Sequence, residues 1–265
     1  MLTKQFPKLK GLILDMDGVL WRDSAPIGDL PLIFTTIAQM GLKVVAVTNN
    51  AAQTIEEYQE KFAGFGLALA SDQIVTSASV TLAYLQQNFN PGTHVYVVGS
   101  KSLMKMVQNA GYYLSNDDSS PNAQVVITGL DREITYARID KASSLVRNGA
   151  AFIASNNDPT FPAAKGLQPG AGVMVAAIQT ASGVAPIILG KPMPYPYQAA
   201  LSYLGCQSFE AMGIGDRLST DIAGAQAAGC LTGFVSSGVN SRIEAEAWQP
   251  PINIIANDLW SLLNA

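Results

Sequence analysis

The chain has 265 residues, 48% of them hydrophobic and 14% charged, with a formal net charge of -4. That length suits one or two domains with a large core, and the composition excludes a disordered chain. No Lys/Arg cluster offers a nucleic-acid surface, but mild acidity leaves a phosphorylated ligand open, because a metal and one lysine can set the local field.

Cys206 and Cys230 are the only cysteines. They lack metal-ligand spacing and fit a reducing compartment, each as a small buried hydrophobe. The start, MLTKQFPKLKGLILDMD, has an apolar run that Asp15 interrupts, too short for a signal peptide. Residues Gly166 to Gly190 carry no charge, yet Pro169, Gln179, Gly183 and Pro186 break the run into a buried helix and a strand. The expectation is a cytoplasmic protein that does not span or bind a membrane.

Taken in order, Leu12 to Leu14 read as a strand buried on both faces, ending at Asp15-Met16-Asp17-Gly18. Asp29 or Gly28 starts a helix running to about Met40, closed by Gly41. Lys43 to Val47 is a second buried strand, ending in Thr48-Asn49-Asn50, and Thr54 caps an amphipathic helix with Glu57 three residues on. Two strand–helix units in succession imply parallel strands with right-handed crossovers.

A second set begins near Ser79. Thr93–Val98, Gln124–Thr128 and Ala150–Ala154 read as strands, with helices near Lys101–Ala110, Thr135–Asn148 and Gly172–Ser182. The acidic stretch Ser115–Asn122 reads as a solvated turn, and His94, the only histidine, as a structural strand residue. The first pattern then resumes. Pro186–Leu189 reads as a buried strand ending in Gly190-Lys191-Pro192, followed by a helix from Tyr195 to Leu204. Glu210–Ile214 ends at Gly215-Asp216; Ser219 caps the next helix, Asp221 lies in its first turn, and Gly229 ends it. Leu231–Val235 and Ile252–Ile255 are the last strands, with a terminal helix from about Asp258. The expected architecture is a three-layer, Rossmann-like α/β core with a parallel sheet over residues 1–78 and 183–265. It is interrupted by a large inserted α/β domain over residues 79–182.

Four strands thus finish in polar residues: Asp15 and Asp17, Thr48 and Asn49, Lys191, and Asp216 with Asp221 behind it. In a parallel sheet such ends share one edge, where ligands bind. Each has an ordinary reading: Asp-x-Asp-Gly also occurs in turns and calcium loops, Lys191 can be a surface lysine, and Asp221 can complement a helix dipole. Together they are coherent, since three carboxylates at one edge repel unless a divalent cation lies between them, and oxygen-only ligands suit Mg²⁺. Gly18 allows close backbone approach, and a hydroxyl, amides and a lysine make a cradle for phosphate oxygens.

DMDGVL, TNN, GKP and GDRLSTD, in that order, resemble the four motifs of haloacid dehalogenase-like hydrolases. The large insert between TNN and GKP, with GLDREITY and NNDPTFP…GLQPGAG, resembles the cap of their subfamily IIA branch. That branch includes 4-nitrophenylphosphatase-like and sugar- or nucleotide-phosphate phosphatases. The resemblance implies Asp15 as the nucleophile and Asp17 as the general acid and base. It implies Mg²⁺ held by Asp15, the Asp17 carbonyl and Asp216, with Asp221 in support. Gly18, Thr48, Asn49, Asn50 and Lys191 would hold the phosphoryl group. The cap would read the leaving group of a small phosphorylated metabolite through Asp158 and Phe161, in a stiff polar loop within residues 155–170. Branch members often pair through the insert, so a homodimer through the cap is open. Alternatives within the fold are a phosphomutase or a dehalogenase, although dehalogenases do not need Asp17. A non-catalytic phospholigand-binding module is the alternative outside catalysis.

Overall fold

A computed structural model describes residues 1–117, 122–163 and 166–265. In chain order the strands are β1 (Gly11–Asp15), β2 (Trp21–Arg22), β3 (Ala25–Pro26), β4 (Lys43–Thr48), β5 (Ile74–Thr76), β6 (His94–Val98), β7 (Tyr113–Leu114), β8 (Val125–Thr128), β9 (Ala151–Ala154), β10 (Thr160–Ala163), β11 (Gly166–Pro169), β12 (Ile187–Ile188), β13 (Ala211–Gly215), β14 (Leu231–Val235) and β15 (Ile254–Ala256). The helices are α1 (Leu2–Gln5), α2 (Leu30–Gln39), α3 (Ile55–Gly64), α4 (Ser77–Asn88), α5 (Lys101–Asn109), α6 (Tyr136–Arg147), α7 (Ala171–Ser182), α8 (Tyr195–Leu204), α9 (Ala223–Ala227), α10 (Arg242–Glu246) and α11 (Leu259–Asn264). None is long and apolar enough to cross a membrane among the described residues. The chain divides into two compact units, one of residues 1–48, 55–75 and 191–265, the other of residues 49–54 and 76–190.

The first unit is built on a six-stranded sheet of order β15-β14-β13-β1-β4-β5. Strand β1 lies at its centre, parallel to β13 on one side and β4 on the other. Side chains alternate between faces with period two, so β1 divides its residues between two layers. Leu12 and Leu14 join a core with Ile33 and Ile37 of α2, Phe62 of α3 and Leu262 of α11. Gly11 and Gly213 face the other way, where added Cβ atoms would meet Leu204 and Tyr197 of α8 and Ala225 of α9. The result is a parallel sheet with helices on both sides, the three-layer arrangement expected. Asp29 caps α2 by accepting from the Leu32 N–H at 3.0 Å, and Asp258 caps α11 through Ser261 at 2.7 Å.

The second unit has its own parallel sheet, of order β12-β9-β8-β6-β7. Helices α6 and α7 cover one face, with Ala142, Val146, Met174 and Ile178 packed on Val126 and Phe152. Strands β10 and β11 form a separate antiparallel hairpin.

The structure corrects four local readings. The Pro186–Leu189 stretch does not return to the first sheet: Ile187 and Ile188 pair with Ile153 and Ala154 as an edge strand of the second. The apolar run suggests a buried strand, but Ile187 is 40% exposed, as an edge allows. Ser219 is exposed and does not cap; Leu218–Ile222 forms a single π-helical turn that leads into α9. Helix α4 went unread because the side chain that returns to the N-cap is Ser79, not Glu or Gln: Thr76 Oγ1 accepts from Ser79 N–H, and Ser79 Oγ accepts from Thr76 N–H, both at 3.0 Å. Phe161, expected in a stiff polar loop, belongs instead to strand β10 and pairs with Gln168 of β11. Of the expected turn at Ser115–Asn122, residues 118–121 lie outside the described residues, while the Asn116 side chain pairs with Val97 through two hydrogen bonds of 3.1 and 2.8 Å.

Candidate active site

Strands β1 and β13 run in register from Gly11 beside Ala211 to Leu14 beside Ile214, and Asp15 lies beside Val47 of β4. The first polar residues after the apolar runs therefore emerge at one edge: Asp15 ending β1 and Asp17 just after it, Thr48 ending β4, Asp216 after β13. Carboxylate oxygens of Asp15, Asp216 and Asp221 all lie within 4.8 Å of one another. Lys191 joins them from the turn before α8. Its Nζ donates to Asp15 Oδ1 and Asp221 Oδ1, each at 2.6 Å, and to the Val47 carbonyl at 3.4 Å. Only 4% of its side chain is exposed, so these are desolvated ion pairs.

Local backbone accounts for each placement. The π-turn turns Asp221 inward, with Asp221 N–H on the Arg217 carbonyl at 2.9 Å, and leaves the residue 3% exposed. Its Oδ2 accepts from Arg217 N–H at 3.0 Å, and Tyr197 Oη donates to its carbonyl at 2.7 Å. Gly215 is needed because a Cβ there would lie 2.1 Å from that of Asp221. Asp216 is held by the loop after β14: Val239 N–H donates to its Oδ2 at 2.6 Å. Gly18 has φ +88°, and its added Cβ would lie 2.5 Å from the same oxygen. Ser237 Oγ closes that side by donating to the Gly18 carbonyl at 2.6 Å.

The electrostatics follow from crowding and burial. Burial pushes the Asp15 carboxyl well above its usual range, with Lys191 opposing and Asp221 and Asp216 adding to the rise. Asp216 is pushed up to about 6, first by burial and then by the charge of Asp221, against the Val239 N–H. Burial would lower Lys191, but Asp15 and Asp221 outweigh it and hold the ammonium charged. Asp17 is raised by burial, opposed by Lys61 and by the hydrogen bond from Trp21.

Six of the expected residues, Asp15, Asp17, Thr48, Lys191, Asp216 and Asp221, belong to the first unit, as does Gly18. Asn49, Asn50, Asp158 and Phe161 belong to the second. There the Asn49 amide donates to both Asp158 oxygens at 3.0 and 3.2 Å, and Ser77 and Asn156 side chains donate to its carbonyl. Asn50 Oδ1 instead accepts from Ala52 N–H at 2.8 Å, forming a local turn. The Arg132 guanidinium lies 5.0 Å over the Phe161 ring. Sequence reasoning reads Trp21–Pro26 as a polar loop, whereas Trp21 is fully buried in β2 and paired with β3, and it gives no role to Tyr197 or the Ser237–Val239 loop. A tryptophan four residues after a carboxylate and a Gly-containing turn after a buried strand are weak signals without the fold.

A haloacid dehalogenase-like hydrolase family model matches residues 12–113, and a second HAD-hydrolase-like model matches residues 188–262. The chain is 31% identical over 250 residues to an acid sugar phosphatase of Staphylococcus aureus, covering 94% of this chain and 95% of that one. A 4-nitrophenylphosphatase from Thermotoga maritima superposes with a TM-score of 0.89 at 27% identity, over 98% of each chain. A glycerol phosphate phosphatase from Mycobacterium tuberculosis, solved with magnesium, gives 0.84 at 32% identity, over 96% of this chain and 76% of that one. The chain belongs to the haloacid dehalogenase-like hydrolases, in their subfamily IIA branch, and is a phosphatase.

Proposed function

We propose that the chain hydrolyses small phosphate monoesters by a Mg²⁺-dependent route through an aspartyl-phosphate on Asp15. The observation that carries this reading is the cluster of three carboxylates within 4.8 Å, which Lys191 balances only in part. With all three carboxylates ionised, one ammonium leaves a net -2, a deficit that one divalent cation offsets. The donor set is oxygen only and suits a hard cation. Asp15 and Asp216 would hold it, with the Asp17 carbonyl. Asp221 has both oxygens engaged, by Lys191 and by Arg217 N–H, and supports from behind. Bound there, the cation would neutralise phosphoryl charge and let an anionic carboxylate approach an anionic ester.

The chain's own residues supply the rest. Asp15 Oδ1 is held by Lys191, and Oδ2 takes no hydrogen bond among the described residues, which leaves it to attack phosphorus. As the bond from phosphorus to the leaving oxygen breaks, that oxygen takes its electron pair and a proton from Asp17. Water then attacks phosphorus and gives a proton to Asp17, and the bond to Asp15 breaks, releasing phosphate and restoring both carboxyl groups. The raised pKa of Asp17 keeps a protonated fraction available for the first step. Lys191, Thr48 and the backbone after Gly18 position and neutralise the phosphoryl oxygens.

The inserted unit would serve as the cap that reads the leaving group through Asp158 and Phe161, while Asn49 and Asn50 would help to hold the phosphoryl group. Two free thiols, Cys206 and Cys230, support a reducing, cytoplasmic setting. Pairing of two copies through the insert is part of the same proposal. Phosphate release from sugar phosphates, nucleotides and 4-nitrophenyl phosphate, with Mg²⁺ or with EDTA, tests it. Asp15→Asn should remain folded and lose turnover. Activity that survives in EDTA, or more than a few per cent of turnover in Asp15→Asn, overturns the mechanism.

A further inference from the structure

We propose that Trp21 is a positioning residue for Asp17, its indole N–H holding one carboxyl oxygen so that the other is presented to the leaving group. This rests on the assignment of Asp17 as the general acid and base.

Trp21 is fully buried, and its Nε1 donates to Asp17 Oδ1 at 3.0 Å. The same turn is closed through the backbone, where Gly18 N–H donates to the Trp21 carbonyl at 2.7 Å. The indole is held from α3 and the residue after it. Phe62 meets it edge-on with centroids 5.0 Å apart, Phe65 stacks at 5.7 Å, and Lys61 Nζ lies 4.1 Å over the ring. The direction of the N–H is therefore fixed by packing from about forty residues away in sequence as well as by the turn that carries Asp17.

A carboxyl group rotates broadly about χ2, with two interchangeable oxygens. A donor on Oδ1 removes that freedom. The carbonyl oxygen of a carboxylic acid accepts better than its hydroxyl oxygen, so when Asp17 is protonated the N–H favours Oδ1 as the carbonyl and the O–H on Oδ2. When it is ionised, Oδ2 is the oxygen left to accept a proton from water. Oδ2 takes no hydrogen bond among the described residues, and Asp17 is half-buried. One contact thus selects the reactive oxygen in both half-reactions. Lys61 over the indole face polarises the N–H and strengthens this contact. The ordinary alternative is that a buried indole N–H merely needs an acceptor; Asp17 would then be a convenient partner and catalysis indifferent to the loss.

The two separate by leaving group. An alkyl phosphate needs its departing oxygen protonated, whereas 4-nitrophenolate leaves with little help. Trp21→Phe removes the N–H, and replacement of Trp21 by 3-benzothienylalanine removes it while keeping the two-ring outline, so a packing defect in the first is controlled by the second. The readout is kcat/KM, which reports steps through departure of the leaving group. For the alkyl ester it should fall about 10- to 100-fold, the worth of a hydrogen bond to a charged group. For 4-nitrophenyl phosphate it should change less than about threefold, with KM little altered for either. Equal losses on both esters, or none in the isosteric variant, overturn the positioning role. Asp17→Asn, run alongside, tells this failure from a deeper one. If it discriminates between the esters while the Trp21 variants do not, Asp17 keeps its role and Trp21 loses its own. If it does not discriminate, the acid assignment falls and the role of Trp21 falls with it.

Discussion

Replacing Lys191 with methionine tests the charge balance of the cluster directly. The side chain is 4% exposed and its ammonium meets Asp15 and Asp221 at 2.6 Å each, so its loss leaves two largely buried carboxylates without their counter-charge. Removing one partner of a buried ion pair costs about 3–5 kcal/mol. For a chain of this size about 2–4 °C is lost per kcal/mol, so the melting temperature should drop by about 6–20 °C in EDTA near neutral pH. The pH dependence has a definite sign. Without Lys191, the principal attraction that opposes burial at Asp15 is gone, so its folded-state pKa rises further above the unfolded value of 3.8. The folded variant then binds protons more readily than its unfolded chain, and its deficit should shrink as the pH falls towards about 5. Mg²⁺ should also restore part of the loss by replacing the missing positive charge. Melting curves of wild type and variant, in EDTA at two pH values and then with Mg²⁺, carry the test. A variant that melts with wild type near neutral pH, or whose deficit is the same at both pH values, would refute the reasoning.

Gly238→Ala places a Cβ 1.8 Å from Asp216 Oδ2, so the carboxylate or the loop must move. A ligand at about 100 times its Kd stabilises wild type by about 2.7 kcal/mol, and the Mg²⁺-induced rise in melting temperature should be clearly smaller in the variant. Burial pushes the Cys230 thiol up to about 12, so iodoacetamide near pH 8 should leave it unmodified until the protein unfolds, as peptide mapping would show. Below about pH 9 the thiol is neutral in both states and contributes nothing. Above it the unfolded thiol ionises first, so stability falls towards pH 12, and Cys230→Val should lessen that fall relative to wild type.

The sheet of the first unit was legible because its strands are short apolar runs that stop abruptly at Asp15, Thr48 and Asp216, and because helix caps such as Asp29 and Asp258 follow general chemistry. Lys191 was found for a partly mistaken reason. Pro186–Leu189 looks like the other buried strands, yet it is the half-exposed edge of the second sheet, and composition alone does not say which sheet an apolar run joins. Asp221 was legible as an acidic residue near a helix start, but its role depends on the π-turn, an irregularity that no periodicity announces. The supports of the site were invisible for a related reason. Tyr197 and Val239 act through one hydrogen bond each to residues more than twenty positions away, and Trp21, only four residues from Asp17, is held against it by packing from α3.

Which oxygens the fold already occupies separates three carboxylates of similar chemistry. Asp221 has one oxygen on Lys191 and the other on Arg217 N–H, so both are committed. Asp216 has Oδ2 on Val239 N–H, and Asp15 has Oδ1 on Lys191. A carboxylate with both oxygens engaged is poorly suited to bind a cation or attack an ester, while one with a single oxygen pinned is aimed and still reactive. Lys191 shows the same division on the donor side. Its ammonium has three N–H groups, two of which point at carboxylates at 2.6 Å, while the third reaches the Val47 carbonyl at only 3.4 Å. That third contact is long for an N–H donor and is the one most easily exchanged. On the aspartyl-phosphate reading, a phosphoryl oxygen would displace the Val47 carbonyl and leave the Asp221 ion pair intact. Asp221 then anchors Lys191 throughout the cycle, which explains why a buried carboxylate with no free oxygen belongs in the site.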